Sequence, residues 1–259
     1  MKVGLALSGG GARGFAHIGV LKVLVENEIP VDMIAGTSAG SIVGGAFAAG
    51  MSIDELLALA DSVRWPNVAR PSLSPLGVLS NAPIGAFLKK AFPVTDLSKM
   101  TIPFAAVGYD INDGREIVYK DSGDVIFAIR ASCALPGVFA PVRDDNGHLI
   151  VDGGVTNVIP VEVVREMGAD MVIAVDLLAS SGTFRAKPRT AAGIMIASTM
   201  GLLIQNARAQ RASAEMIIEP DIAHIRPDQI KKRDELIRLG EEAATAAIST
   251  IKELMSRGE

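Results

Sequence analysis

Ser38 is the side chain of this sequence with the clearest capacity for chemistry. It is the central residue of GTSAG, residues 36–40, a GxSxG pattern that follows an apolar run over residues 31–35 and precedes a helical stretch over residues 41–49. Where a GxSxG segment joins a strand to a helix, its small residues allow a tight turn that exposes the serine hydroxyl. The pattern therefore predicts a nucleophile.

A serine nucleophile needs a base, and the usual histidine is missing. The chain has 3 histidines, His17, His148 and His224, and none stands in a recognisable triad position. The base is therefore expected to be an acid or an imidazole at the end of a strand, on the edge of the sheet that also presents Ser38. Asp152 closes an apolar strand and is followed by two glycines, which permit close approach. By position alone Asp152 is equally a turn residue, and Asp176 at another strand end is the second candidate.

A glycine-rich loop supplies candidate backbone donors. Gly9, Gly10 and Gly11 follow an apolar run over residues 3–7 and precede a helical pattern. Unhindered N–H groups at a helix N-terminus can stabilise the oxyanion of a tetrahedral intermediate. The same loop contains GxGxxG, a pattern typical of dinucleotide binding, but the second strand ends in GTS where an acidic residue would bind the ribose. The oxyanion role is therefore favoured over a nucleotide site.

Arg13 lies in the same loop. Its guanidinium could neutralise a phosphate or carboxylate near the site, or it could pair with a structural acid, and the sequence favours neither. No pair of His or Cys residues has the spacing of metal ligands, and Cys133, the single cysteine, is expected to be a small buried residue. We therefore expect neither a metal nor a cofactor.

The order of the predicted elements indicates an α/β fold. Strand, glycine loop, helix, strand, serine turn and helix follow one another, which favours a mostly parallel central sheet flanked by helices. Loops that follow parallel strands emerge at the same carboxyl edge, so the glycine loop and Ser38 are expected to face one substrate. Ser52 and Glu55 have the spacing of a capping box, and the pairs at residues 113–114 and 146–147 predict hairpin turns.

Residues 1–259 are expected to form a single catalytic domain. Their composition includes no linker-like stretch, and 49% hydrophobic residues are enough for a large core. Residues 64–103, interrupted by prolines, are predicted to form a cap over the site, with a helix over residues 82–91 that Asn81 caps. Residues 189–259 are predicted to form helices that pack on the core.

The aromatic residues of the predicted cap, Trp65, Phe87 and Phe92, lie near basic side chains in the sequence. Contact with an acyl chain and ordinary packing of a covering helix explain this composition equally well.

Charge and hydropathy limit the partners and the location. A net charge of -4 disfavours a nucleic-acid partner, and the short N-terminal apolar run is unlike a secretory signal, so we expect a cytoplasmic protein. The apolar stretch over residues 191–204 is shorter than the roughly 20 residues that span a bilayer. A core helix or a subunit contact is its commoner role, and transient contact with a membrane surface is the alternative. The basic residues that flank this stretch are Arg185, Lys187, Arg189, Arg208 and Arg211.

Four blocks together resemble the patatin-like phospholipase family, in particular its bacterial branch related to neuropathy target esterase. They are GGGARG at 9–14, GTSAG at 36–40, ASCALP at 131–136 and DGG at 152–154. The resemblance covers residues 3 to 178. It implies a three-layer architecture related to the α/β-hydrolases. It also implies a catalytic dyad in which Ser38 is the nucleophile and Asp152 is the general base, with an oxyanion hole from the backbone around Gly9, Gly10 and Gly11.

The activity that this resemblance implies is that of a serine lipid acyl hydrolase. Such an enzyme would cleave phospholipids, lysophospholipids or related carboxylic esters through an acyl-Ser38 intermediate, without a metal. An ordinary aspartate, with a pKa of about 3.9, is a weak base for an alcohol, so burial is expected to raise the pKa of Asp152. An acyltransferase or a thioesterase with the same intermediate is the alternative enzyme, and a lipid-binding regulatory protein is the non-catalytic alternative.

Overall fold

The computed structural model describes residues 1–179 and 189–257. Within these residues an eight-stranded sheet forms the centre, and a two-stranded hairpin lies apart from it. The strands are β1 (Val3–Leu7), β2 (Met33–Thr37), β3 (Arg70–Pro71), β4 (Leu79–Ser80), β5 (Phe104–Asp110), β6 (Arg115–Tyr119), β7 (Val142–Arg143), β8 (Leu149–Asp152), β9 (Met171–Val175) and β10 (Met216–Ile218). The helices are α1 (Phe15–Glu26), α2 (Ala39–Ala48), α3 (Ile53–Ser62), α4 (Trp65–Val68), α5 (Ala82–Ala91), α6 (Val125–Ser132), α7 (Val161–Glu166), α8 (Ala191–Gln210) and α9 (Arg233–Arg257).

The predicted fold class, a mostly parallel central sheet flanked by helices, is confirmed. Strands β10, β9, β1, β2 and β5 run parallel to one another in that order. Every residue of β1, β2 and β9 is buried, as expected for parallel strands that helices cover on both faces. Alternate residues of β1 point to opposite faces of the sheet. Leu5 belongs to the hydrophobic cluster that includes α1 and α9, and Ala6 belongs to the cluster that includes α7 and α8.

The antiparallel part of the sheet determines where Asp152 lies. Val107 of β5 pairs with Thr37 of β2 and also with β6, and Gly108 pairs with Asp152 of β8 and also with β6. A strand has two edges, so β2 and β8 must share the edge of β5 that β6 does not occupy. The carboxyl ends of β2 and β8 therefore meet end to end, opposite neighbouring residues of β5.

Most of the local predictions are confirmed, with one exception. The capping box of Ser52 and Glu55 and both hairpins are present. The predicted cap of α5 is wrong, because the Asn81 side chain donates a hydrogen bond to the Arg130 carbonyl at 2.6 Å and does not cap the helix. The sequence also gave no indication of α4 or of the β3–β4 hairpin, whose strands of two residues are too short for a periodic pattern.

The C-terminal helices include α8, which covers the apolar stretch of residues 191–204. Within the described residues, no helix combines the length and apolar character needed to cross a membrane. Arg185 and Lys187, which flank this stretch in the sequence, lie outside the described residues. The division of residues 1–259 into one catalytic domain with a cap at 64–103 stays a prediction.

We predict that Gly240→Ala destabilises the protein, because α9 crosses α1 in close contact. A methyl group at Gly240 would lie 2.1 Å from the backbone oxygen of Ala16, a distance at which the backbones must move apart. The expected cost is about 1–3 kcal/mol in the free energy of unfolding, measured by urea denaturation. The matched control is Gly201→Ala on α8, where a methyl group would meet no atom of the described residues within 4 Å. The control should be neutral or stabilising by up to about 1 kcal/mol, and an equal loss in both variants would contradict the packing argument.

Candidate active site

Ser38 occupies a strained turn between β2 and α2. Its φ of 53° and ψ of -121° are rare for a residue with a side chain, and this conformation exposes the hydroxyl at the carboxyl edge of the sheet. The flanking glycines of the GxSxG pattern are required by close contacts. A methyl group at Gly40 would lie 2.1 Å from the Leu7 oxygen, and one at Gly36 would lie 2.5 Å from the Gly40 backbone.

A strained backbone conformation of this kind costs about 1–3 kcal/mol. Three hydrogen bonds hold the turn in place. The Ser38 N–H donates to Ser132 Oγ at 2.8 Å, and Ser41 Oγ donates to the Ser38 carbonyl at 2.6 Å. Thr37 Oγ1 donates to the Asn157 carbonyl at 2.7 Å. Sequence reasoning assigned no role to Ser132. The signal that could have identified it is a polar residue, now found fully buried, inside the ASCALP block.

Asp152 is buried next to the nucleophile. Its side chain is 3% exposed, and its Oδ1 accepts a hydrogen bond from the Gly154 N–H at 2.8 Å. Burial raises the pKa of Asp152 from 3.8 to about 6, although hydrogen bonds from the Ser38 hydroxyl and the Gly154 N–H lower it in part. The carboxyl is therefore ionised at neutral pH and is a stronger base than an exposed aspartate.

The glycine loop lies beside Ser38, but its three N–H groups are not equivalent. A methyl group at Gly9 would lie 3.3 Å from Ser38 Cβ, so the loop and the turn are in contact. The Gly9 N–H donates to the Val158 carbonyl at 3.1 Å, which corrects the expectation that Gly9 is an oxyanion donor. Within residues 1–179 and 189–257, the N–H groups of Gly10 and Gly11 have no acceptor, and both residues line the cavity with Ser38.

One of the two predicted roles of Arg13, contact with a phosphate or carboxylate near the site, does not fit its position. Its side chain is 1% exposed, and its Nε donates to the Ile225 carbonyl at 2.7 Å while Nη1 donates to the Leu177 carbonyl at 3.2 Å. Both of these acceptors are backbone oxygens, and the predicted pairing of Arg13 with a structural acid stays a prediction. The guanidinium joins the end of β9 to the loop before α9.

The histidines are bonded elsewhere. His17 is fully buried with Nε2 at 2.9 Å from the Ser8 oxygen, and burial lowers its pKa to about 4. His148 Nδ1 lies 2.7 Å from Asp110 Oδ2, and His224 Nε2 lies 2.8 Å from a carboxylate of α9. These contacts agree with the absence of a histidine from the predicted dyad.

Asp176, the second candidate for the base, is hydrogen-bonded to the backbone of its own loop. Its Oδ1 accepts hydrogen bonds from the N–H groups of Leu178 at 2.8 Å and Ala179 at 3.0 Å, which caps the loop after β9. Cys133 is buried, and burial followed by the nearby Asp152 charge raises the pKa of its thiol. A protonated thiol is a poor nucleophile, so Cys133 fits the predicted role of a small buried residue.

A cavity of about 580 Å³ extends from Ser38 and Asp152 and has the size of a small-molecule site. Most of its walls are apolar, and they include side chains of α1, α2, α3, α4, α5 and α8. The side chains that contribute include Leu56, Trp65, Phe87, Met200 and Leu203. Trp65 and Phe87, two of the aromatic residues noted in the sequence, therefore face this space. The contribution of α8 was missed because its sequence has no motif.

The comparisons with known proteins bear on the family and the fold. Residues 5–165 match the model of the family described as "Patatin-like phospholipase". The chain belongs to the patatin-like phospholipase family, as the four sequence blocks indicated. It is 38% identical over 179 residues to an uncharacterized NTE family protein of Mycobacterium tuberculosis, covering 68% of this chain and 49% of that protein.

Two further similarities bear on the family and on the fold. The chain is 34% identical over 184 residues to human patatin-like phospholipase domain-containing protein 6. The matched region covers 68% of this chain and 13% of the human protein. The crystal structure of VipD from Legionella pneumophila covers 96% of this chain and 67% of its own, with a TM-score of 0.56 and 14% identity, which supports the fold alone. The chain spans about half the length of the mycobacterial relative.

We predict that Asp152→Asn stabilises the fold at neutral pH. The raised pKa means that the native protein holds this proton to higher pH than the unfolded chain does, so stability falls as pH rises from about 4 to about 6. Keeping the buried carboxylate ionised above pH 6 costs on the order of 3 kcal/mol, and the asparagine avoids this cost. Urea denaturation at pH 8 should show Asp152→Asn as the more stable protein.

The stability difference should shrink as the pH falls through 6 and should be close to zero at pH 4. The exposed Asp145→Asn should match wild type at both pH values. If Asp152→Asn is instead less stable than wild type at pH 8, the protein stabilises the ionised carboxylate. Burial would then not be the reason why Asp152 is a stronger base.

Proposed function

We propose that this protein is a serine hydrolase that cleaves carboxylic esters of lipids with the Ser38–Asp152 dyad. The observation that carries the proposal is the position of Ser38 on a strained turn, next to a buried carboxyl with a pKa of about 6. A strained nucleophile and a base with a raised pKa are features typical of catalytic sites. Membership of the patatin-like phospholipase family supports the same assignment.

The first half of the reaction forms an acyl-enzyme. Asp152 accepts the proton of the Ser38 hydroxyl while Oγ attacks the ester carbonyl carbon. The negative charge that develops on the carbonyl oxygen is stabilised by the N–H groups of Gly10 and Gly11, together with Ala39 at the start of α2. When the tetrahedral intermediate collapses, the bond to the alcohol breaks, and the alcohol leaves with the proton from Asp152.

The second half of the reaction restores the enzyme. A water molecule gives a proton to Asp152 and attacks the acyl carbon, and the intermediate releases a carboxylic acid as Ser38 Oγ recovers the proton. Neither half, as proposed, requires a metal ion.

The cavity supports a lipid as the substrate. Its apolar walls, which include Leu56, Phe87 and Leu203, are suited to an acyl chain, because burying each CH₂ group is worth about 0.8 kcal/mol. The substrates that we propose are phospholipids, lysophospholipids and related lipid esters.

We predict that ester hydrolysis requires both members of the dyad. Ser38→Ala should abolish turnover of a lipid ester, and Asp152→Asn should lower kcat by about 10²–10⁴-fold, because the general base is lost. The control is His224→Gln, which changes an exposed histidine and should keep the kcat/KM of wild type. Hydrolysis by Ser38→Ala at the rate of wild type would overturn the proposal.

The pH profile tests the base separately. Asp152 must be ionised to accept a proton, so kcat/KM should fall about tenfold per pH unit below pH 6 and should level off above it. An acid limb near pH 4 would mean that the base is an ordinary exposed carboxylate and not the buried Asp152.

A further inference from the structure

Charged side chains are few on the cavity walls. Among the residues that the structure describes, those that line the cavity with a formal charge are Asp152, Arg226 and Asp228. Asp152 is accounted for by the proposed dyad. Arg226 is therefore the single cationic side chain that these residues present to the cavity, in the segment between β10 and α9.

Arg226 begins a rigid turn. The Gln229 N–H donates to the Arg226 carbonyl at 3.1 Å, and the Arg226 N–H donates to Gln229 Oε1 at 2.6 Å. Pro227 occupies the second position, where its fixed φ suits a β-turn. The carbonyl of Pro227 accepts a hydrogen bond from the Ala12 N–H at 2.8 Å, which joins the turn to the glycine loop. The backbone at Arg226 is thus joined to the loop that carries the candidate oxyanion donors.

The distance from the turn to the nucleophile is short. Gly9 is in contact with Ser38, and Ala12 is bonded to Pro227. The three residue-to-residue steps from Gly9 to Ala12 span at most about 11 Å of chain. A lipid whose ester lies at Ser38 can therefore place another part of the same molecule within reach of Arg226.

The present partner of Arg226 is easily replaced. Arg226 Nε lies 2.9 Å from Asp228 Oδ1, and Nη2 lies 2.7 Å from Oδ2, which is the forked geometry that a guanidinium offers to a pair of oxygens. The side chains are 64% and 52% exposed, and exposed ion pairs of this kind are worth at most about 1 kcal/mol. A phosphate offers the same pair of oxygens with equal or greater charge, so it can displace the aspartate.

We propose that Arg226 is a specificity-determining residue that binds a phosphate on the alcohol side of the substrate, in exchange for Asp228. This inference rests on the proposed function for the place of the ester. In the free protein Asp228 holds the guanidinium at the cavity wall and competes with the phosphate. Substrates with a phosphate are therefore favoured over neutral esters that have the same acyl chain.

The test compares two ligands in the inactive Ser38→Ala background, so that neither is consumed. They are oleoyl glycerophosphate and oleoyl glycerol, which share the acyl chain and differ in the phosphate. Trp65, the single tryptophan, lines the cavity at 50% exposure, so its fluorescence reports binding of both ligands. The phosphate-bearing ligand should bind more tightly.

Substitutions at the turn should change the ratio of the two affinities. Arg226→Gln should weaken binding of oleoyl glycerophosphate about 10-fold or more, with a clearly smaller loss for oleoyl glycerol, because a charge-assisted hydrogen bond is lost. Arg226→Lys keeps the charge without the fork and should give an intermediate loss. Asp228→Asn removes the competing carboxylate and should tighten binding of oleoyl glycerophosphate. Arg238→Gln, which removes an exposed arginine of α9, is the matched control and should change neither affinity.

Two results would overturn the assignment of Arg226. One is an Arg226→Gln protein in which the affinities for both ligands fall equally, or in which neither affinity falls. The other is binding of inorganic phosphate by wild type as tightly as oleoyl glycerophosphate, which would indicate a site for a free anion. The binding test needs no turnover. If the affinities change as predicted but wild type has no esterase activity, the proposed function is wrong and the assignment of Arg226 stands.

Discussion

The site depends on one constraint, the end-to-end meeting of β2 and β8 on a single edge of β5. Thr37 and Asp152 pair with consecutive residues of β5, Val107 and Gly108, so the chain leaves both strands at the same place. The turn after β2 presents Ser38 there, and β8 ends there with its carboxylate. Neither strand alone could bring a hydroxyl and a carboxyl together. The third strand does so by offering adjacent positions on one edge.

The surrounding structure maintains two unfavourable features at this point. Ser38 has a positive φ, and Asp152 is a carboxyl with almost no exposure to water. Each feature costs about 1–3 kcal/mol, which is a large part of the stability of an ordinary domain. The buried strands and the hydrogen bonds from Ser132 and Ser41 offset this cost. A site that is costly to fold is expected where reactivity, and not stability, has determined the residues.

Local patterns in the sequence were enough for the fold class, for the serine turn and for the identity of the candidate base. They could not predict how Asp152 reaches the site, since nothing local to β8 indicates that it runs antiparallel to β5. They also could not show that the Gly9 N–H is bonded to Val158 or that the Arg13 guanidinium is bonded to backbone carbonyls, because both contacts join segments far apart in the chain. The cavity walls from α8 and the turn at Arg226 were not predicted for the same reason, because tertiary contacts bring these segments to the site.

The most direct test of the dyad is the rate at which a fluorophosphonate modifies Ser38 as a function of pH, in wild type and in Asp152→Asn. If Asp152 activates the hydroxyl, the rate of wild type should rise about tenfold per pH unit up to pH 6 and then stay constant. The variant should react at least about 100-fold more slowly, with no step near pH 6, and the label should lie on the peptide that contains Ser38. Equal rates and equal pH profiles in the two proteins, or a label on another residue, would contradict the account.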